Sequence, residues 1–428
     1  MTTPPSMLTD APHPGESASQ ARPVCERPTL TVCRELDALP GFKRAWTALC
    51  ARAGDALQNA DFEHYVAVLA ASQGGLRPYA AIWEDATGPR AGFLGRRADR
   101  RQKLKVAYLN VRGLRLRALD LVQGGVLCAS DADARAVCDH LRELLRTELD
   151  QLVVHHMPLD HPFYRALIAD RGLSRGLGST IRDPHWVFEL EPGPFEQTLR
   201  RFSKKRRYNL AREGRLLAEQ FDGDLAVRVI TEASELDTLF AWSGAIIERT
   251  YHAKVGTRFM DAPLWRTLME LEARRGCLRA HFLLGKGRPI AFNLGIVRGP
   301  VLVVETMAHL PDYDRFSPGK HLLIRVFERC AQESLRLVDY CTGDAEYKRV
   351  FGTRTWDEVA VSVFGRGPRG RLAQACQWAA DGLNALARKL TGSSSRARRL
   401  KRAVRRWLTP RSTGGSAGCS ETESPERN

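Results

Sequence analysis

The sequence has no run of about 18 or more apolar residues, so no segment of it reads as a membrane-spanning helix. Its opening residues, MTTPPSMLTDAPHPGESASQARP, lack a basic region followed by an apolar core. Residues 1–28 therefore read as a flexible leader, not a secretory signal. Ten cysteines are present, but without CxxC pairs or regular spacing, and Cys50, Cys138 and Cys330 lie inside apolar patterns. Such usage excludes a zinc site or a disulfide framework, predicts no metal, and suits reduced thiols in the cytosol. Acidic residues are the scarcer charge, 49 against 65 Lys and Arg, which leaves a net charge of +16. An excess of that sign favours nucleic acid, anionic lipid or a phosphorylated small molecule as partner.

What is present is the composition of a soluble globular chain, 43% hydrophobic and 27% charged, and 428 residues exceed one ordinary core. Two domains are expected. In the first half, apolar residues at helical spacing mark 39–57 (Phe42, Trp46, Leu49, Cys50) and 61–72. Short strand candidates follow at 79–83, 91–94, 106–109 and 120–123. An amphipathic helix at 130–149, with Ser130 as cap, precedes a strand at 152–155, a short helix at 162–170 and a strand at 186–190. Pro192-Gly-Pro closes this segment, so the boundary falls between a domain at 29–191 and a second at 192–365. The second half runs in the same order. Helices at 195–220, 233–252 and 261–275 enclose a strand at 225–230, and strands at 278–284, 289–297 and 301–307 follow. A long helix at 319–335, a strand at 337–341, a short helix at 344–351 and a strand at 358–364 complete it. The residues of the two halves are not similar, so the repeat is one of architecture. This order predicts an α+β fold: mixed, largely antiparallel sheets flanked by helices and crossed by a central helix.

Four places carry chemistry. The stretch 309–324, HLPDYDRFSPGKHLLI, joins an apolar strand to a helix. The first turn of a helix has N–H groups without internal partners and the positive end of the dipole, so an anion is favoured there. Ser317 is the expected cap, Pro318 the first helical residue, Gly319 a point where a ligand can approach the backbone, and Lys320 an added charge. A capped helix with no ligand would show the same residues. Alternation along 301–309 puts Val303, Glu305, Met307 and His309 on one strand face. Glu305, a carboxylate in an apolar segment, is a general-base candidate if buried and an arginine partner if it reaches a rim. His309 reads as a loop residue.

Asp344 and Lys348 stand i, i+4 on a short helix beyond a strand end. They form either an ordinary pair or a site in which Asp344 holds Lys348 against charge on an acyl group or phosphate. Residues 200–215 hold eight Lys and Arg against one Glu. Lys204, Lys205, Arg206, Arg207 and Asn209 are the candidate substrate-binding group, unless this is simply a solvated face. The tail, 366–428, begins with an amphipathic helix pattern at 371–390, and 388–411 holds ten Lys and Arg with no acid. It reads as partly helical and partly disordered, in peripheral contact with an anionic inner membrane through 371–408, although RNA-binding segments share this composition.

Three stretches carry a family resemblance: TLRRFSKKRRYNLAREGR at 198–215, YDRFSPGKHLL at 313–323 and GDAEYKRVF at 343–351. Together and in order, they resemble the FemAB-related branch of the GNAT acyltransferases, in particular the CelD-type cellulose- and exopolysaccharide-biosynthesis group. The resemblance implies two tandem GNAT-like lobes followed by the basic tail. It implies transfer of an acyl group, acetyl first, from acyl-CoA to an amine or hydroxyl of a sugar, polysaccharide-precursor or lipid-linked acceptor. Ser317, Pro318, Gly319 and Lys320 would then meet the donor's pyrophosphate, and Glu305, Lys348 and Asp344 would form the catalytic group. Most of the superfamily carries a longer glycine-rich loop where this chain has Ser317-Pro318-Gly319, and FemAB relatives draw on aminoacyl-tRNA. A tRNA-dependent aminoacyl transferase is therefore the second reading. A non-catalytic adaptor on a transferase fold is the third.

Overall fold

The computed structural model describes residues 28–53, 60–106, 109–250 and 263–391. The expected leader up to residue 27 and the basic segment 396–408 lie outside the described residues. The first half runs β1 (Thr29–Cys33), α1 (Leu39–Ala53), α2 (Phe62–Ala71), β2 (Arg77–Asp85), β3 (Gly88–Val106), β4 (Leu109–Cys128) and α3 (Asp131–Thr147). It continues with β5 (Gln151–Pro158), α4 (Pro162–Ala169), α5 (Arg171–Ser174) and β6 (Leu177–Glu189). The second half runs α6 (Phe195–Arg200), α7 (Lys204–Gln220), β7 (Leu225–Ile230), α8 (Leu236–Glu248), α9 (Pro263–Arg274), β8 (Leu278–Gly285) and β9 (Arg288–Arg298). Then come β10 (Val301–His309), α10 (Pro318–Gln332), β11 (Leu337–Thr342), α11 (Glu346–Phe351), β12 (Arg354–Phe364) and α12 (Pro368–Thr391).

Each half is an antiparallel meander whose last strand pairs in parallel with the next: β4 with β5, and β10 with β11. A parallel neighbour requires a crossover, and α3 and α10 supply it. The fold is α+β, with one large mixed sheet flanked by helices. The strands of the two halves are not separate sheets. The described strands form a single 12-stranded sheet in the order β1-β2-β3-β4-β5-β12-β6-β11-β10-β9-β8-β7. The last of the described strands, β12, lies antiparallel between β5 and β6, while β6 pairs with β11 of the second half. Val359, Val361 and Val363 of β12 are buried, as are Val187 and Phe188 of β6. Strands this apolar would be poor edges, and the exchange leaves neither of them at one.

Around α10 the core holds Leu322, Leu323, Val326 and Phe327 against Phe188, Phe202, Leu217 and Phe351. The opposite face of the same strands is covered by α8 and α9, with Leu239, Ile246, Leu268 and Met269. In the first half, α3 and α4 cover one face and α1 and α2 the other.

Two stretches differ from the reading of the sequence. The candidates at 91–94, 106–109 and 120–123 belong to two long strands, β3 and β4. Arg96 to Lys105 hide the alternation there because only Gln102 and Leu104 of the outer stretch are buried. What covers them is α12: the Gln102 amide donates to the Ala373 carbonyl at 2.9 Å and the Asn384 amide to the Lys105 carbonyl at 2.5 Å. Expected as one helix, 195–220 is two, α6 and α7, with Ser203 capping the second by accepting from the Arg206 N–H. Finally, α12 exposes Leu372, Trp378, Leu383 and Leu386, and no described helix is long and apolar enough to cross a membrane.

Candidate functional site

The parallel pairing of β10 and β11 covers only 301–303 against 337–339, after which the strands part. An irregularity on each strand accompanies the parting. On β10 the register with β9 slips between Val304 and Thr306, so Glu305 is the extra residue of a bulge. On β11 the register with β6 jumps from Asp339 to Thr342, and Cys341 has a left-handed backbone, φ 58°. For a residue with a β-carbon that conformation costs ~1 kcal/mol.

The bulge corrects the expected alternation. Leu302 and Val304 face α10, and beyond Glu305 it is Met307 and His309 that do so. Val303 points to the other face, beside Leu337 and Asp339, and Ala308 packs with α8 and α9. Glu305 itself is half-buried at the parting, close enough to Cys341 to act on it. Burial pushes the Cys341 thiol well up, and the charges of Asp339 and Glu305 add to the rise.

At the corner before α10 the expected cap is not formed. Ser317 is left-handed (φ 53°, ψ 49°) and its side chain bonds no helix amide. A capping side chain reaches the first turn from extended backbone, which Ser317 lacks. Its carbonyl accepts from the Lys320 and His321 N–H groups instead, at 3.0 and 3.1 Å. Pro318 and Gly319 are buried. A β-carbon on Gly319 would lie 3.1 Å from His309 Nδ1, so the glycine admits that imidazole, not a ligand. His309 is therefore more than a loop residue: it sits on the corner, tied at Nε2 to Asp314 at 2.9 Å. Lys320 reaches across to Glu346 of α11 at 3.3 Å.

Beside this corner the surface is open. A groove of about 740 Å³ lies between α7, α10, the edge strand β7 and its neighbour β8, with Arg207, Arg215, His321 and Arg325 on its walls. Gly214 keeps it passable on the α7 side, since a β-carbon there would meet His321 Nδ1 at 2.9 Å. Of the expected substrate-binding group, Arg207 lines the groove and Arg206 lies over the Phe202 ring at 5.5 Å. Lys204, Lys205 and Asn209 are exposed on the first turns of α7.

Asp344 and Lys348 do not form the expected pair. Asp344 binds Arg349 at 2.6 Å, and the buried Lys348 ammonium donates to the Cys341 and Thr342 carbonyls at 3.2 and 2.8 Å. Backbone geometry decides this, because the turn at 342–345 brings the end of β11 over α11. Desolvation by burial pulls the Lys348 pKa down, against the charges of Cys341, Asp339 and Asp344.

The sequence reading missed a buried cluster beside these groups. His185 of β6 contacts Asp339 of β11 through Nε2 at 2.7 Å and Glu358 of β12 through Nδ1 at 3.0 Å, and Trp356 stacks on its ring at 4.4 Å. Asp339 Oδ1 also accepts the Cys341 N–H at 2.7 Å. The available signal was an ionisable residue inside each of three apolar strands. A carboxylate beside each ring nitrogen favours the imidazolium. Burial opposes that charge, but the two carboxylates, Asp339 and Glu358, outweigh it and lift the His185 pKa to about 9. An unfolded histidine titrates near 6.5, so the folded chain holds this proton more tightly. The resulting stability is present in full below about pH 6.5 and lost as pH rises through about 9, on the order of 3 kcal/mol. Urea melts across this range should show the alkaline loss in the wild type and lack it in His185→Gln.

On the face away from α10, Asp339 and Trp356 border a cavity of about 630 Å³ under α1 and α2, with Val303, Arg275 and Arg298. Among the described residues no group of three His, Cys, Asp or Glu is placed to hold a metal ion.

Among curated proteins no relative is found. FemX has the same fold at 11% identity, with a TM-score of 0.50 over 73% of this chain and 98% of that one. A tandem GNAT protein from the clavulanic acid biosynthesis pathway aligns at 14% identity and a TM-score of 0.48, over 79% of this chain and 99% of its own. Residues 204–349, which run from the start of α7 into α11 and include both parted strands, match the acetyltransferase (GNAT) domain. Over that span the chain is similar to acyltransferase domains of the GNAT type.

Proposed function

We propose that the second half transfers an acyl group, acetyl in the first instance, from acyl-CoA to an amine or hydroxyl of a sugar, polysaccharide-precursor or lipid-linked acceptor. The observation that carries this reading is the parting of β10 and β11 at the Glu305 bulge. Two parallel strands that separate leave main-chain donors and acceptors facing a slot, and buried main-chain groups need partners. The pantetheine arm of coenzyme A is an extended chain with two amides, so it can pair there as a strand would. Lys320 stands at the foot of α10, where phosphate charge is favoured.

Attack by the acceptor forms the new C–N or C–O bond and breaks the C–S bond, whose electron pair leaves with sulfur as the coenzyme A thiolate. Glu305, at the bulge, takes the proton that the nucleophile gives up. Lys348 and Asp344 shape the end of β11 rather than meeting each other. Arg207, with Arg215 and Arg325 in the groove, receives a phosphorylated part of a substrate, and Lys204, Lys205, Arg206 and Asn209 extend that surface.

Thermal unfolding with a panel of acyl-CoA donors tests the reading. A donor at about 100 times its Kd should stabilise the native state by ~2.7 kcal/mol. Protection by acetyl-CoA that fades with acyl length supports the proposal. No protection by any member of the panel overturns it. The exposed cations at the start of α7 favour one alternative, a FemAB-type donor. Salt-dependent tRNA binding lost on neutralising 204–207, without acyl-CoA protection, would establish it.

A further inference from the structure

We infer that Asp339, fixed by His185 and through it by Glu358, is a positioning residue that holds β11 off β10 and so shapes the slot for the donor's thioester arm. The inference rests on the acyl-CoA reading and deepens it. A strand that stayed extended past Asp339 would continue its ladder with β10, and there would be no slot. The chain turns aside at one residue, Cys341, whose left-handed backbone a side chain with a β-carbon resists. Three contacts converge on that residue. Its N–H donates to Asp339 Oδ1 at 2.7 Å, its carbonyl accepts from Lys348 at 3.2 Å, and its thiol approaches the Val304 carbonyl across the gap at 3.7 Å.

Asp339 alone would be a loose anchor. Its Oδ1 also meets His185 at 2.7 Å, and His185 is tied in turn to Glu358 on β12. Those two partners belong to the adjacent strands β6 and β12, so the kink is braced against the middle of the sheet. A brace of sheet packing alone would not need to end on the one N–H whose orientation sets the departure from β10. The cluster lies on the face away from α10, so it acts on the slot through the backbone of β11, not by contact with the donor.

The test uses the full chain and acetyl-CoA, with affinity read by calorimetry. Asp339→Ala removes the acceptor for the Cys341 N–H and is expected to raise the acetyl-CoA Kd about tenfold or more, the effect of losing ~1.4 kcal/mol of binding. Asp339→Asn keeps an oxygen at that position and should stay within about threefold of the wild type. Cys341→Gly in the Asp339→Ala background should recover most of the loss, because glycine adopts a positive φ without a brace. This double variant also keeps the question open if Asp339→Ala folds poorly. Unchanged affinity in Asp339→Ala, or no recovery on adding Cys341→Gly, overturns the positioning role while leaving the donor reading intact. A wild-type chain that binds no acetyl-CoA overturns the donor reading itself.

Discussion

Phe327→Ala should destabilise the protein by ~4 kcal/mol, in the range for removing a large aromatic side chain from a packed core. Phe327 is fully buried on α10, its ring 4.1 Å from that of Phe188 and 5.5 Å from that of Phe351 at an interplanar angle of 70°. Phe188 stacks in turn with Phe202, at 6.0 Å. These four rings tie the crossing helix to β6, to the segment before α7 and to α11. Little nearby can move to fill the space, because the neighbours are themselves held by the sheet. For a chain of this size such a loss lowers the melting temperature by roughly 5–10 °C. Phe327→Leu keeps most of the volume and should lose less than half as much. Scanning calorimetry of both variants decides the matter, and an alanine variant that melts within about 2 °C of the wild type would show that this core tolerates a cavity.

Much of the second half could be read from its residues because each signal there is local. Leu225–Ile230 and Leu278–Gly285 are short apolar runs with polar punctuation, and they form β7 and β8 almost as spaced. The helix at α10 follows from Leu322, Leu323, Val326, Phe327 and Cys330 recurring on one face. What periodicity cannot convey is a break in itself. One added residue at Glu305 reverses the faces of everything after it on β10, so Met307 and His309 share a face with Val304, not with Val303. Likewise, nothing local predicts that Ser317 would adopt a left-handed backbone and lose its role as a cap. The exchange of β6 and β12 is a long-range pairing, with Arg354 to Val363 lying against Val187 to Leu177 across more than a hundred intervening residues. The His185 cluster depends on that exchange. Its members are spread over three strands, and only the sheet order brings His185, Asp339 and Glu358 together.

Glu305→Gln should lower the turnover of acetyl transfer by about 100-fold or more, the usual contribution of a positioned general base. The substitution is close to isosteric, so the bulge and its register with β9 should persist. Donor affinity should then change little, because the slot is set by main-chain geometry and by the kink at Cys341. Lower kcat with an unchanged acetyl-CoA Kd is thus the expected signature of Glu305, whereas loss of donor affinity is that of Asp339. Lys348→Met provides the third comparison. It leaves the Cys341 and Thr342 carbonyls without their donor, and an unmade bond at a buried polar group costs ~1–3 kcal/mol. Its effect should therefore appear first in stability and donor affinity, and in turnover only as a consequence. Coenzyme A release from acetyl-CoA with glucosamine as acceptor measures all three variants on one scale. If Glu305→Gln turns over within about threefold of the wild type, the proton leaves by another route and the base assignment fails. If Lys348→Met instead lowers kcat with stability and donor affinity intact, its ammonium acts on the reacting atoms and the reading of it as a strand-end fastener is wrong.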